Sequence, residues 1–487
     1  MDSVAFEAYL DDASRVGAPL PGSARGTAGG AACGDLIGVA LRLEGGRVAG
    51  VRVTASGCSA ARAAAAAAAE LLDGASLHEA GLLDATAIAA ELGGLSSVGV
   101  HAADLAAEAA HRALGRAVAS AEGEILPPPA DGRERVLVAV SGGVDSAVAA
   151  LREREGGADV LAVTLELWSD PANDGERSCC SADAVRLARS AAQAQGIPHL
   201  TVDLRESFRA GVVEPFLAGH AAGQTPNPCV RCNGRVRIGP MIGIAERLGA
   251  AGLATGHYAR LADDGGGALL SAAADRAKDQ TYMLAGLPAE ALERLRFPLG
   301  GLTKPEVRAI AAAAGLAVAD KAESQDLCFL AGVGKAGFLA RHGDLDDREG
   351  EIVDTAGNVV GSHRGHHRFT VGQRRGLGIG APEPLYVLAT DAASNRVVVG
   401  AAERLETARV RVRDAVLHRP AARVGSVRLR YRARPLPCRI AGGSATPGPG
   451  PHDRLDLELG IAASVATPGQ TAVLCDGDLV VGHGTIA

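Results

Sequence analysis

The segment Ser141-Gly142-Gly143-Val144-Asp145-Ser146 follows directly on the apolar run Val136–Val140. Two adjacent glycines let a backbone turn tightly and aim its N–H groups at an anion. A helix starting there adds its positive N-terminal end. Ser141 and Ser146 supply hydroxyl donors, and no Gly-Lys-Ser/Thr follows, so this is a phosphate loop of a kind other than Walker's. A second chemical centre is Asn227-Pro228-Cys229-Val230-Arg231-Cys232-Asn233, with a further thiol at Cys328 in Ser324-Gln325-Asp326-Leu327-Cys328-Phe329. Thiolates are nucleophiles and metal ligands. Three of them could serve sulfur chemistry, or hold an iron–sulfur cluster with one open iron, or leave Cys229 a spectator. Cys179-Cys180, Cys438 and Cys475 lack evident partners and read as packing residues.

These groups need a frame. Val136–Val140, Val160–Leu165 and His199–Asp203 are apolar runs separated by helix-like stretches, one of them over residues 181–195. That alternation predicts a doubly wound α/β domain with a parallel sheet. Before it, Val39–Leu43 and Val48–Thr54 flank Glu44-Gly45-Gly46 as a strand pair. Helices are expected around Ala63–Ala69, 84–92 and 101–120, so residues 1–125 form an α+β unit. Pro127-Pro128-Pro129 with Asp131-Gly132 marks a stiff linker over 126–134. The α/β domain spans 135–345 and a small central domain 346–405. Strict alternation in Arg409–Arg413 and Arg428–Arg434 predicts antiparallel strands, and so a small β-barrel or sandwich over 406–487.

Composition fits a multidomain globular chain: 487 residues, 47% hydrophobic, 22% charged, with only 3% aromatics. Basic residues are 45 Arg and 4 Lys, a skew that makes single arginines weak signals. Net charge is -7 and lies in residues 1–130, with 15 acids and 8 Arg; the remainder is balanced. Within it, residues 406–440 hold 10 Arg and 2 acids, a charge footprint suited to RNA phosphates. No basic and apolar leader precedes Glu7, Asp11 and Asp12, and no apolar run reaches the ~20 residues of a membrane helix. With an odd nine cysteines, this predicts a cytoplasmic protein with reduced thiols and no membrane partner.

The SGGVDS loop resembles that of the ATP pyrophosphatases, which implies ATP cleavage between the α- and β-phosphates. Together with the CxxC, Ala254–Tyr258, Lys278–Tyr282, Cys328, Gly372–Gly378, Arg430-Tyr431 and Pro468–Gln470, it resembles the bacterial tRNA 2-thiouridylases over residues 134–487. The resemblance implies a closed C-terminal β-barrel that binds tRNA. It implies an ATP and Mg2+ site at Ala139, Val140, Ser141, Gly142, Gly143, Val144, Asp145, Ser146, Leu165 and Gly256. It also implies tRNA contacts at Asn227, Pro228, His257, Lys278, Asp279, Gln280, Arg430, Tyr431 and Gln470, a persulfide on Cys328 and a catalytic partner in Cys232. Some members of that family have Asp where this chain has Cys229. A cysteine desulfurase or a sulfur relay protein would supply the sulfur. A 4Fe-4S cluster on Cys229, Cys232 and Cys328 is the alternative, and a non-catalytic delivery protein a second.

Residues 25–120 resemble the IscU and NifU iron–sulfur scaffolds through Ala32-Cys33-Gly34-Asp35, Gly57-Cys58-Ser59-Ala60 and the segments that follow. The ligands implied are Cys33, Asp35, Cys58 and His101, for iron–sulfur or zinc. The family's His-Cys pair is here His101-Ala102, so one thiol is missing.

Overall fold

The computed structural model describes residues 3–30, 34–96, 99–170, 182–321, 327–330, 332–343, 345, 347–442 and 447–487. Cys33, Cys179, Cys180 and Ser324–Asp326 lie outside them.

The first unit is a three-stranded antiparallel sheet: β1 (Ala24–Gly29), β2 (Leu36–Glu44) and β3 (Arg47–Ser56), in that order. The strand pair around Glu44–Gly46 is as expected, and β1 is an edge strand that the sequence pattern did not reveal. Its motif, Ala-Arg-Gly-Thr-Ala-Gly, has no large apolar residue. The alanine-rich helix α1 (Ser59–Leu72) and the long α2 (Val100–Ser120) cover the sheet. Small side chains let backbones approach closely here. An added Cβ on Gly26 would lie 2.1 Å from the Ala109 carbonyl of α2.

The second unit is a five-stranded, all-parallel sheet built from β4 (Arg135–Ala139), β5 (Asp159–Glu166), β6 (His199–Asp203), β7 (Gly252–Thr255) and, past a hairpin, β10 (Leu295–Arg296). The order is β10-β7-β4-β5-β6, so the direction of winding reverses beside β4. Open α/β sheets bind ligands at the carboxyl ends of their strands at such a point. Helices α3 (Val144–Glu155) and α4 (Ala182–Gln193) follow β4 and β5.

The two units are not joined by a tether alone. β6 is the sheet's edge, and α2 lies against it. The two ring nitrogens of His111 each lie 2.8 Å from a carbonyl oxygen, Nδ1 from that of His199 and Nε2 from that of Leu83. Burial pushes His111 down to about 4, which keeps the ring neutral, with one N–H to donate to one of the two carbonyls. At Gly115 an added Cβ would sit 1.9 Å from the Thr201 carbonyl. The proline segment is also tied down. Ile125 N donates to the Arg247 carbonyl, and the buried Arg135 reaches the carbonyls of Pro127 and Leu248. One apolar cluster runs through both units.

The hairpin β8 (Arg260–Asp263) and β9 (Ala268–Ser271) leaves the second unit. A central four-stranded sheet holds β11 (Gly350–Val353), β12 (Val359–His363), β13 (Tyr386–Asp391) and β14 (Arg396–Gly400). Last come β15 (Thr407–Leu417), β16 (Ser426–Arg428), β17 (Leu436–Ile440), β18 (Gly450–Ala463), β19 (Thr471–Asp476) and β20 (Leu479–Ile486). Pairing of β20 back onto β15 closes a six-stranded antiparallel barrel, and β9 joins it at Leu479↔Ser271.

One expectation fails here. Arg428–Arg434 is not a strand: β16 ends at Arg428, and the chain turns through Arg430–Arg432, with Arg432 at φ 60°. No helix of the described residues is long and apolar enough to cross a membrane.

Candidate active site: one cavity for nucleotide and thiols

A cavity of about 450 Å³ opens at the carboxyl end of the parallel sheet, over β4 and β5. The phosphate loop forms one wall: Ala139, Val140, Ser141, Gly143, Val144, Asp145 and Ser146 all line it, with Leu165 from β5. Gly142 stands just behind, at φ 68°, where an added Cβ would meet the Ala184 carbonyl at 2.8 Å. The loop is folded on itself through Ser146, whose Oγ accepts from Ser141 N (3.1 Å) and donates to the Gly143 carbonyl (3.0 Å). Gly256 follows β7 and presses on the start of α3; an added Cβ would be 2.8 Å from Ser146 N.

Asp145 is held by two groups that sequence reasoning missed. Lys304 Nζ donates to both carboxylate oxygens (2.7 and 2.8 Å), and Tyr258 Oη donates to Oδ1 (2.9 Å). Lys304 opens helix α6 (Lys304–Ala313), which a Thr303–Glu306 capping box starts. Lys321 Nζ donates to the Gly142 carbonyl (2.9 Å). Among the described residues, Arg237, Lys278, Lys304, Lys321 and Arg432 line the cavity against one carboxylate, Asp145. That excess of positive charge suits a triphosphate. A single carboxylate at a phosphate loop also fits Mg2+, which is held by one or two carboxylates together with substrate phosphates.

The thiols form the opposite wall. Asn227 Oδ1 accepts from the N–H groups of Cys229 and Val230, capping the short helix α5 (Pro228–Cys232). Pro228, Cys229, Cys232 and Cys328 all line the cavity. Cys232 is buried, and Cys229 and Cys328 are half-buried. Phe329 anchors the Cys328 segment by packing on Phe208, Phe216 and Phe338. Among the described residues, no three His, Cys, Asp or Glu side chains converge as a metal-binding group.

His257, Lys278, Gln280 and Tyr431 complete the lining. Burial, with Arg237 nearby, pushes His257 to about 3, so it is neutral. Gln280 Oε1 accepts from Tyr258 N. Arg430 is exposed beside the rim residues Tyr431 and Arg432. Asp279 and Gln470 are placed differently from an RNA-facing position. Asp279 is a half-buried ion-pair partner of Arg428 (2.8 Å) and accepts from Ala273 N and Thr281 Oγ1. Gln470 Nε2 donates to the Thr225 carbonyl and so pins the barrel to the second unit. Asn227 acts as a helix cap. Cys438 is pushed up to about 12 by burial, and Cys475 is raised likewise, as packing thiols would be.

In the first unit, Asp35 Oδ1 accepts from Cys58 N (2.7 Å), and its Oδ2 accepts from the Cys58 thiol (3.2 Å). Gly57, at φ 118°, permits that approach, since a Cβ there would be 2.0 Å from Asp35 Oδ1. Cys58 is exposed and caps α1. His101 is exposed at the start of α2, and Ala102 is buried in the core.

A glycine loop at the switch point of a parallel sheet, facing three thiols across one cavity, is the layout of a HUP-type domain equipped for sulfur chemistry. Family models match residues 134–332 (tRNA methyl transferase HUP domain), 336–401 (tRNA methyl transferase PRC-barrel domain) and 9–120 (NifU-like N terminal domain). The bifunctional protein NifU/MnmA of Rubrobacter xylanophilus is 44% identical over 98% of this chain and 96% of its own length. The tRNA-specific 2-thiouridylase MnmA of Syntrophotalea carbinolica is 43% identical over 73% of this chain and 99% of its own. That of Synechococcus sp. is 44% identical over 72% and 97%. The chain belongs to the MnmA family of tRNA 2-thiouridylases, in the bifunctional form that carries a NifU-like domain at its N-terminal side.

Proposed function

We propose that this chain replaces the position-2 oxygen of a tRNA wobble uridine with sulfur, using ATP. The observation that carries this reading is that the SGGVDS loop and three thiols open on one cavity. A uridine carbonyl is a poor electrophile, because oxide leaves badly. The carbonyl oxygen attacks the α-phosphorus of ATP and pyrophosphate leaves. The loop N–H groups, Lys304 and Lys321 bind and orient the phosphates; Mg2+, held by Asp145, would neutralise their charge. The terminal sulfur of a Cys328 persulfide then attacks C2, and AMP leaves. Finally the Cys232 thiolate attacks Cys328 Sγ, the sulfur–sulfur bond to the substrate breaks, and a Cys232–Cys328 disulfide remains with the thiolated base. Cys229 stands beside this exchange as a third thiol.

In this reading the exposed turn around Arg430, Tyr431 and Arg432 guides RNA to the cavity mouth, and Arg434 extends it. A cysteine desulfurase or sulfur relay protein provides the persulfide, with the NifU-like unit as its docking or hand-over partner. The test separates two half-reactions. Cys232→Ser and Cys328→Ser are expected to stop thiolation while tRNA-dependent AMP release continues. Asp145→Ala with Ser146→Ala is expected to stop AMP release itself. Thiolated tRNA formed by either cysteine variant at the wild-type rate would refute the assigned roles.

A further inference from the structure

Along the seam between the NifU-like unit and the parallel sheet runs a groove of about 850 Å³. One wall is β1 and α2; the other is the carboxyl ends of β5 and β6 with α4. β5 is the partition between this groove and the thiol cavity. Leu165 and Leu167 line the cavity, and Glu166 between them lines the groove. Strand spacing puts β6 about 10 Å from β4, which carries the phosphate loop. At its far end the groove reaches Gly30 and His101, beside the Asp35–Cys58 pair.

The NifU-like unit is acidic, yet three of the 8 arginines in residues 1–130 line this one groove: Arg25, Arg112 and Arg116. Arg186 and Arg205 face them from the second unit. The acids present are already engaged. Arg112 holds Glu108 and Glu166, and Arg205 holds Asp203. Arg25 and Arg116 are exposed and have no ion-pair partner among the described residues. Thr201 is 1% exposed, and its hydroxyl, on the groove wall, has no hydrogen-bond partner. Leu105 is the single large apolar side chain in the lining. A protein partner would need an apolar anchor at the centre of its footprint. Exposed guanidinium groups in excess over the acids beside them, with hydroxyls between, match phosphate oxygens.

We propose that the seam groove carries RNA backbone phosphates, so that the NifU-like unit lengthens the track along which the substrate RNA lies. The proposal rests on the thiouridylase reading. Its test is binding of substrate tRNA to the full chain as a function of salt. The double variant Arg25→Ser, Arg116→Ser is compared with Arg25→Lys, Arg116→Lys, which keeps the charges. The serine variant should bind more weakly at low salt, with a log–log salt slope smaller by about 0.7–0.9 for each lost phosphate contact. The lysine variant should keep most of the slope, and AMP release at saturating tRNA should be unchanged in both. An unchanged slope in the serine variant, while the wild type binds tRNA, overturns the proposal. So does an unchanged slope joined to slower sulfur delivery from a cysteine desulfurase, which would make the groove a protein-docking site. If the wild-type chain itself bound no tRNA, the thiouridylase reading would fall first.

Discussion

Lysine is nearly absent from this chain, and three of the four lysines, Lys278, Lys304 and Lys321, line the thiol cavity. An ammonium is a compact point charge, whereas guanidinium is a broad planar fork. Lys304 is 7% exposed and clasps Asp145 through one nitrogen, in a space that leaves little room for a fork. Lys304→Met and Lys304→Arg are therefore both expected to slow tRNA-dependent AMP release by about 10²-fold. A wild-type rate in the arginine variant would show that charge alone suffices. The scarcity of lysine was visible in the sequence, but there it served only to discount the arginines. Asp279 and Gln470 were not legible in the same way. Their partners, Arg428 and the Thr225 carbonyl, lie 149 and 245 positions away, so no local pattern marks them as internal.

Elements decide which arginines can meet RNA. The 406–440 stretch is basic as a string, yet in the barrel β15 pairs with β18, which sets Arg409 opposite Glu458 and Arg411 opposite Asp456. The alternation of β15 was readable from its sequence, but its neutralisation depends on a strand some 45 residues away. Arg428 is withdrawn into its half-buried pair with Asp279, while Arg430 and Arg434 remain exposed on the turn. Arg428→Ser should destabilise the chain by about 1–3 kcal/mol, read in urea unfolding, because it leaves the half-buried Asp279 carboxylate without its cation. Replacing Arg430, Arg432 and Arg434 with Ser should leave unfolding unchanged and flatten the salt dependence of tRNA binding. The reverse pattern would mean that the barrel, and not the turn, faces RNA. Helix α2 makes a second case. Its helical character was plain from composition, but its placement on β6 turns on Gly115, a residue that looks merely unfavourable in a helix. Gly115→Ala should cost about 1–3 kcal/mol through overpacking against the Thr201 carbonyl, where an ordinary exposed helical glycine would gain from alanine.

Across the whole molecule, buried histidines set an acid limit. His111 and His483 are held at about 4, and His220 and His257 at about 3, in each case chiefly by burial. His199 is depressed as well, beside His111. The unfolded chain protonates these rings below about pH 6.5 and the folded chain does not, so the unfolded state binds more protons and stability falls as pH falls. At pH 5.5 each such ring costs roughly 1.4 kcal/mol relative to neutral pH. The urea midpoint should therefore drop clearly between pH 7.5 and 5.5. A flat profile would mean that these rings stay wet. Two of the five, His111 and His199, meet across the seam, with ring centroids 5.6 Å apart.

That seam changes what it means for two proteins to be fused. β6 is a sheet edge whose His199 carbonyl meets a ring nitrogen of His111, a residue of the other unit. The Syntrophotalea relative aligns with 73% of this chain and 99% of its own length, which leaves the NifU-like unit unmatched. Cutting the chain near residue 125 would therefore uncover β6 and leave the enzyme half with an open flank. Shortened chains should be scored for aggregation before any loss of sulfur transfer is credited to the absence of the NifU-like unit.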